Sequence, residues 1–191
     1  MACPPVRVAV LISGTGSNLR ALVEPADTTY QVALVLSNRP EAIGLAWAAE
    51  HGIPAVALPH APYGKDRQAH EVALDETLRA HDIQVVALAG YMRVLTPWLV
   101  GRWSGRMLNI HPSLLPKYPG LDTHRRALDA GDVEAGCTVH LVSEGVDEGP
   151  ILDQARVPVL DGDTPETLAA RVLQAEHRLY PRALARFCAG L

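Results

Sequence analysis

The segment VRVAVLISGTGSN, residues 6–18, combines a strand, a glycine loop and the beginning of a helix. Val6–Ile12 is apolar except for one arginine and shows no polar alternation, which is typical of a strand that is covered on both faces. The loop SGTGSN follows, and a short helix is predicted for Asn18–Val23. A strand, loop and helix in this order form the first unit of an α/β fold.

Strands and helices alternate along the rest of the chain. Further strands are predicted at Val32–Ser37, Ala55–Leu58, Gln84–Ala89, Arg106–Ile110, Cys137–Val142 and Ile151–Val159. Further helices are predicted at Glu41–His51, Lys65–His81, from Pro97, at Thr123–Ala130 and at Thr164–Ala189. We therefore expect an α/β fold: an open, mostly parallel twisted sheet with flanking helices, in which the last two strands form a C-terminal antiparallel pair.

Composition excludes several classes of protein. The 191 residues are 48% hydrophobic and 20% charged, so we expect one globular domain spanning 1–191. A net charge of −4 argues against a nucleic-acid module. Because Met1–Pro5 shows no apolar signal segment and no apolar run approaches 18 residues, we expect a cytoplasmic protein with no membrane partner. Neither the cysteines (Cys3, Cys137, Cys188) nor the eight histidines show metal-ligand spacing, so no metal is expected.

The glycine loop Ser13–Asn18 is a candidate phosphate site, because a helix N-terminus offers free N–H groups and a partial positive charge. The loop lacks the Gly-Lys-Ser/Thr of a Walker A motif. It also has Leu19 where a dinucleotide fingerprint has a third small residue, and the second strand ends in Ser-Asn-Arg instead of an acid. The alternative is a tight turn without a ligand.

Asn109 and His111 lie in the segment MLNIHP and point to the same side of a predicted strand. At the carboxyl end of such a strand, an amide donor beside an imidazole can stabilise an oxyanion and move a proton. The alternative is a pair of polar residues that only cap a strand.

The turn SEGVDEGP, residues 143–150, carries three carboxylates, and Glu144 and Glu148 fit a solvated hairpin tip. Asp147 is better placed to be held still, and we hypothesise that it meets His111 and raises its pKa. His124 and His140 could lie near the same edge, although structural hydrogen bonding is the commoner role. Glu176 alone would be taken for a surface charge.

Four segments resemble a known enzyme family, the folate-dependent phosphoribosylglycinamide formyltransferases: LISGTGSNL, ALAGYMRVLTP, LNIHPSLLPKYPGLDTHRRAL and VDEGPIL. The resemblance runs from Val6 to about Tyr180 and implies a Rossmann-like formyltransferase fold. It implies transfer of a formyl group from the co-substrate 10-formyltetrahydrofolate to the amine of N1-(5-phospho-D-ribosyl)glycinamide (GAR), in purine biosynthesis. By this resemblance, Asn109 and protonated His111 stabilise the tetrahedral oxyanion, and Asp147 supports the charged imidazole and a proton relay.

The resemblance also implies the substrate contacts. The N-terminal half, about 1–104, would bind phosphate, and the C-terminal half, about 105–191, would hold the catalytic and folate sites. GAR would be bound by Gly16, Ser17, Asn18 and Glu176. The folate would be bound by Arg67, Met92, Arg93, Val94, Leu95, Asn109, Ser143, Glu144, Gly145, Val146 and Asp147. Asp122 stands where the family commonly has histidine, and Thr15 lies at a variable position of the phosphate loop.

Three alternatives remain beside the transferase. Formyltetrahydrofolate deformylase resembles the same core but has an extra domain before it, and methionyl-tRNA formyltransferase has a barrel after it. The phosphate loop begins within 15 residues of Met1 and the last helix nearly ends the chain, so we expect neither addition. The third alternative is a non-catalytic folate- or nucleotide-binding module. The sequence does not determine the oligomeric state, and a homodimer is one alternative.

Overall fold

A computed structural model describes residues 4–24 and 29–191, so Cys3 lies outside the described residues. The strands are β1 (Val6–Ile12), β2 (Tyr30–Ser37), β3 (Ala55–Ala57), β4 (Val85–Leu88), β5 (Met107–His111), β6 (Glu134–Leu141) and β7 (Ile151–Pro158). The helices are α1 (Ser17–Val23), α2 (Ile43–Glu50), α3 (Arg67–Ala80), α4 (Pro97–Arg102), α5 (Thr123–Asp129) and α6 (Pro165–Cys188). Within the described ranges, every helix is too short or too polar to pass through a bilayer.

The strands form one mixed sheet in the order β3-β2-β1-β4-β5-β6-β7. The first five strands along the chain pair in parallel. β6 pairs antiparallel with β5 and with β7. This arrangement confirms the predicted α/β fold, including the antiparallel pair at its C-terminal end.

Both faces of the sheet are covered. On one face, α1, α2 and α6 supply buried side chains such as Leu19, Leu45 and Tyr180. On the other face, α3 and α4 supply Leu74 and Leu99. All five residues from Val8 to Ile12 are fully buried, because β1 lies in the middle of the sheet between these two layers. Burial on both faces explains why the sequence of this strand is a continuous apolar run.

Most elements begin and end within two residues of their predicted bounds. β6 differs most, because it begins at Glu134 and not at Cys137. Its first residues pair with the end of β7, Gly136 lying opposite Arg156. A β-carbon on Gly136 would meet the Ala155 carbonyl oxygen at 2.0 Å, so the close approach of β7 requires glycine here. A glycine inside a strand weakens the sequence signal even where the strand continues.

Candidate active site

The candidate residues lie on loops at one edge of the sheet. The glycine loop follows β1, the segment 90–96 follows β4, and a long loop at 112–122 follows β5. Parallel strands place the loops at their carboxyl ends side by side, and open α/β sheets bind ligands at this edge. The turn 142–150, between the antiparallel strands β6 and β7, reaches the same edge, because it brings Asp147 against the end of β5.

His111 is the last residue of β5 and is buried. Its Nδ1 lies 3.2 Å from Oδ2 of Asp147, and its Nε2 lies 2.9 Å from the carbonyl oxygen of Tyr118. Both neighbours are oxygen acceptors. A neutral imidazole has one N–H and can satisfy one of them, whereas the imidazolium donates to both.

The pKa of His111 is nevertheless lowered. Burial is the largest cause, and it outweighs the Tyr118 carbonyl and the Asp147 charge, which both act to raise this pKa. The net direction is therefore opposite to the one expected from the His111–Asp147 pair alone. The pKa is lowered because burial removes water from the ring and so disfavours its charged form, an effect that depends on the folded surroundings.

Asp147 stays charged although it is partly buried. Burial acts to raise its pKa, but the neighbouring His140, the Gly120 N–H and His111 together lower it below its usual value. The Gly120 N–H donates to Oδ2 at 2.9 Å. Asp147 has a φ of 56°, a left-handed conformation that aspartate tolerates better than most residues. Its carboxylate is thereby held between the turn and the loop after β5.

Asn109 and His140 are cross-strand neighbours on β5 and β6. The Asn109 Nδ2 lies 3.2 Å from the His140 Nε2 and 3.5 Å from the Asp147 Oδ1. The His140 Nδ1 lies 2.9 Å from the Leu141 carbonyl oxygen and donates to it, which leaves Nε2 as an acceptor in the neutral ring. His140 therefore belongs to the cluster, and no single-strand pattern could have assigned it because the strand register puts it opposite Asn109.

The loop after β5 is anchored by β6 and β7. The Thr138 hydroxyl donates to the Ser113 carbonyl at 2.7 Å and accepts the Leu115 N–H at 3.1 Å. The Gln154 amide donates to the Leu115 carbonyl at 2.9 Å. These bonds hold the loop that presents the Tyr118 carbonyl to His111. Sequence reasoning missed this contact, because a main-chain oxygen carries no side-chain signature.

The glycine loop opens α1 as expected. Gly16 precedes the helix with a φ of 73°, and a β-carbon there would lie 3.1 Å from the Gly44 Cα. The Asn18 Nδ2 donates to Oε2 of Glu176 at 2.8 Å, and both residues are buried. The Asn18 Oδ1 is buried without a protein partner. The structure therefore brings Glu176 to the glycine loop, and a surface role for this carboxylate is wrong.

Burial raises the pKa of Glu176, and the hydrogen bond from Asn18 opposes this effect only in part. Burial also lowers the pKa of His124, at the beginning of α5. The His124 Nδ1 is buried without a protein partner. Among the described residues, no three His, Cys, Asp or Glu side chains form a cluster that could hold a metal ion.

The residues matched to a folate site lie in separate segments and do not form one hydrogen-bonded cluster like that of Asn109, His111 and Asp147. Met92–Leu95 lie in the irregular segment after β4, and Ser143–Asp147 lie in the turn after β6. Arg67 is exposed at the first turn of α3, and within residues 4–24 and 29–191 no hydrogen bond or ion pair joins it to either segment.

Comparisons with known proteins agree on one family. The model of the family described as "Formyl transferase" matches residues 6–184. The chain is 44% identical over 188 residues to phosphoribosylglycinamide formyltransferase of Escherichia coli (strain K12), covering 97% of this chain and 88% of that protein. It is 48% identical over 189 residues to the trifunctional purine biosynthetic protein adenosine-3 of Drosophila melanogaster, covering 96% of this chain but 14% of that protein.

A solved structure also resembles this chain along nearly its whole length. The crystal structure of phosphoribosylglycinamide formyltransferase from Brucella melitensis superimposes with a TM-score of 0.91 at 52% identity. The superposition covers 98% of this chain and 97% of that one.

Proposed function

The chain belongs to the formyl transferase family, and on that premise we propose that it transfers a formyl group from 10-formyltetrahydrofolate to the amine of GAR. The products are formyl-GAR and tetrahydrofolate, and the reaction is a step of purine biosynthesis. The relatives that bear the name phosphoribosylglycinamide formyltransferase support this acceptor.

One observation carries the proposal: Asn109, His111 and Asp147 form a single hydrogen-bonded cluster at the carboxyl edge of the sheet. The three side chains supply an amide donor, an imidazole and a carboxylate. This set matches the needs of acyl transfer to an amine, which are a donor for the developing oxyanion and a path for one proton.

The amine of GAR attacks the formyl carbon, and a C–N bond forms. The carbonyl oxygen becomes an oxyanion, which accepts a hydrogen bond from the Asn109 amide and is stabilised by the positive charge of protonated His111. Asp147 stabilises the imidazolium and helps to move a proton from the attacking amine to the folate nitrogen. The bond between the formyl carbon and that nitrogen then breaks, and tetrahydrofolate leaves. Holding both substrates together supplies much of the rate, because attack becomes effectively unimolecular.

The ribotide phosphate binds the backbone N–H groups of Gly16, Ser17 and Asn18, and Glu176 contacts the glycinamide part. The buried Asn18 Oδ1, which has no protein partner, is an acceptor that a substrate donor can satisfy. The folate lies across Met92, Arg93, Val94 and Leu95 and against Asn109 and the turn Ser143, Glu144, Gly145, Val146 and Asp147. Arg67, exposed on α3, faces the carboxylates of the folate tail.

The test mixes the purified protein with GAR and 10-formyltetrahydrofolate and follows the absorbance of the folate product. We expect turnover that depends on both substrates. No turnover in the complete mixture rejects the proposal. Turnover that persists without GAR indicates hydrolysis of the formyl donor and a deformylase.

A further inference from the structure

The segment Gly90–Thr96 connects β4 to α4 without regular secondary structure. Its middle is open to solvent, since Met92 is 67% exposed and Val94 is 59% exposed. Tyr91 and Leu95 pack against the core, and the exposed residues between them keep one conformation only if the ends of the segment are held. Both ends of this segment are held by buried polar side chains from other elements.

Ser13 holds the first end. Its backbone N–H donates to the Gly90 carbonyl at 3.1 Å, and its hydroxyl accepts the Met92 N–H at 2.8 Å. The same hydroxyl donates to Oδ1 of Asn38 at 2.6 Å. Because Ser13 and Asn38 are buried, the Asn38 oxygen sets the direction of the hydroxyl proton and leaves a lone pair for Met92. Ser13 thus joins the ends of β1, β2 and β4.

Glu71 holds the second end. It lies on α3, is 3% exposed, and accepts the Thr96 backbone N–H at 2.8 Å. Its other oxygen accepts the Thr96 hydroxyl. Burying a carboxylate is costly unless hydrogen bonds compensate, and here one residue supplies two of them. Thr96 also precedes the first residue of α4, so this contact determines where the segment ends and the helix begins.

We propose that Ser13 and Glu71 are positioning residues, which hold the segment 90–96 in the shape that receives the formyl donor. The inference rests on the proposed function, in which Met92, Arg93, Val94 and Leu95 contact the folate. Ser13 and Glu71 act through Met92 and Thr96. A segment that is ordered before binding pays less conformational entropy when the donor binds, so loss of either tether weakens donor binding.

The kinetic test uses Thr96→Val, which removes the hydroxyl bond to Glu71 at nearly constant shape, and Thr96→Ser, which keeps it. Loss of one such hydrogen bond corresponds to roughly a 3- to 10-fold weaker interaction. We expect Thr96→Val to raise the KM for 10-formyltetrahydrofolate by about this factor. We expect the KM for GAR to stay within about twofold, and Thr96→Ser to restore the donor KM. Ser13→Ala, at the other end, is expected to raise the donor KM similarly.

The matched control is Thr77→Val. Thr77 lies on the same helix as Glu71, and its hydroxyl donates to the Ala73 carbonyl at 2.8 Å, away from the segment. It makes the same chemical change and tests whether loss of any partly buried hydroxyl near the segment's anchor has the same effect. A donor KM that rises equally in Thr77→Val and Thr96→Val would overturn the inference.

Amide hydrogen exchange tests, independently of catalysis, whether the contacts of Ser13 and Glu71 hold the segment 90–96. We expect faster exchange across residues 90–96 in Thr96→Val and Ser13→Ala, and wild-type exchange there in Thr77→Val. Unchanged exchange in both tether variants overturns the inference, even if the wild-type protein is active. A wild-type protein that does not turn over GAR and the formyl donor rejects the proposed function instead, while faster exchange in the variants still supports the tether.

Discussion

His111 lies between the Asp147 carboxylate and the Tyr118 carbonyl, and these two acceptors determine how the ring can act. The charged ring satisfies both, yet burial lowers the pKa of His111. An oxyanion adds a further negative charge and would favour the protonated ring. The site is therefore expected to depend strongly on the Asp147 charge.

Asp147→Asn removes that charge and keeps the shape of the side chain. The pKa of His111 then falls further, since one of the two groups that raise it is lost. We expect kcat to fall by roughly 10²- to 10⁴-fold, the usual range for lost acid–base assistance. The dependence of kcat on pH, measured for both proteins, should be flatter in Asp147→Asn, because His111 loses the carboxylate that stabilises its charged form.

Glu148→Gln is the control for this prediction, because Glu148 is an exposed carboxylate in the same turn. It should keep kcat and the shape of the profile. An Asp147→Asn protein with a wild-type profile would remove Asp147 from the mechanism.

Glu176 makes stability depend on pH in a defined direction. Its pKa is raised in the folded protein by burial, so the folded state favours the neutral acid. The stability that this group contributes is present below its unfolded pKa and is lost as the pH rises through the folded pKa. Glu176→Gln, which is always neutral, should therefore melt at a higher temperature than the wild type, and the difference should widen from pH 5 to pH 8.

Thermal melts at the two pH values check this prediction, with Glu50→Gln as the control. Glu50 is exposed at the end of α2 and should show no such widening. A difference in Tm that is constant or shrinks with pH would contradict a carboxylate at Glu176 whose burial the Asn18 hydrogen bond compensates only in part.

At the scale of elements, the strand β6 shows where a local pattern misleads. Gly136 weakens the strand signal in the sequence, yet β6 continues through it and pairs with β7. Glycine is required at this position because β7 lies so close that no side chain fits. The sequence at Cys137–Val142 predicts the rest of the strand well. Register against β5 then places His140 beside Asn109, which sequence patterns cannot show because pairing across strands is a long-range choice.

Gly136→Ala tests the close approach of β6 and β7. Its β-carbon would meet the Ala155 carbonyl at 2.0 Å and the Leu114 side chain at 2.7 Å. Because two backbones must separate, we expect a loss of about 1–3 kcal/mol in the free energy of unfolding, measured by urea denaturation.

Gly101→Ala is the matched substitution for this measurement. Gly101 is in α4, and a β-carbon there has no neighbour within 4 Å. It should stabilise the protein by about 0.5–1 kcal/mol, since alanine favours a helix. Equal effects of the two substitutions would show that β7 can move away at little cost.

At the scale of the whole molecule, Tyr180 joins the last helix to the centre of the sheet. It lies on α6, is fully buried, and donates its hydroxyl hydrogen to the Leu88 carbonyl at 3.0 Å, with the Leu108 carbonyl at 3.3 Å. The Leu88 carbonyl lies at the end of β4, and the Leu108 carbonyl lies within β5, one residue before Asn109.

Tyr180→Phe removes the hydroxyl and leaves two buried carbonyls without this donor. We expect it to lower the free energy of unfolding by about 1–3 kcal/mol. Chemical denaturation measures this loss, and Thr77→Val is again the control, because it removes a partly buried hydroxyl that bonds only within its own helix. A Tyr180→Phe protein as stable as the wild type would show that the bond to the sheet contributes nothing.

Apolar runs and turn residues were enough to predict the α/β alternation and the antiparallel pair at the end of the sheet, because these features follow from local periodicity and from burial on two faces. Motifs also singled out Asn109, His111 and Asp147. Folding decided the rest: the Tyr118 carbonyl on His111, His140 beside Asn109, the burial of Glu176 and the direction of the His111 pKa. The Tyr118 contact depends on a loop that Thr138 and Gln154 hold from other strands. The other features depend on contacts between residues far apart in the chain and on the exclusion of water around them, which a local pattern does not encode.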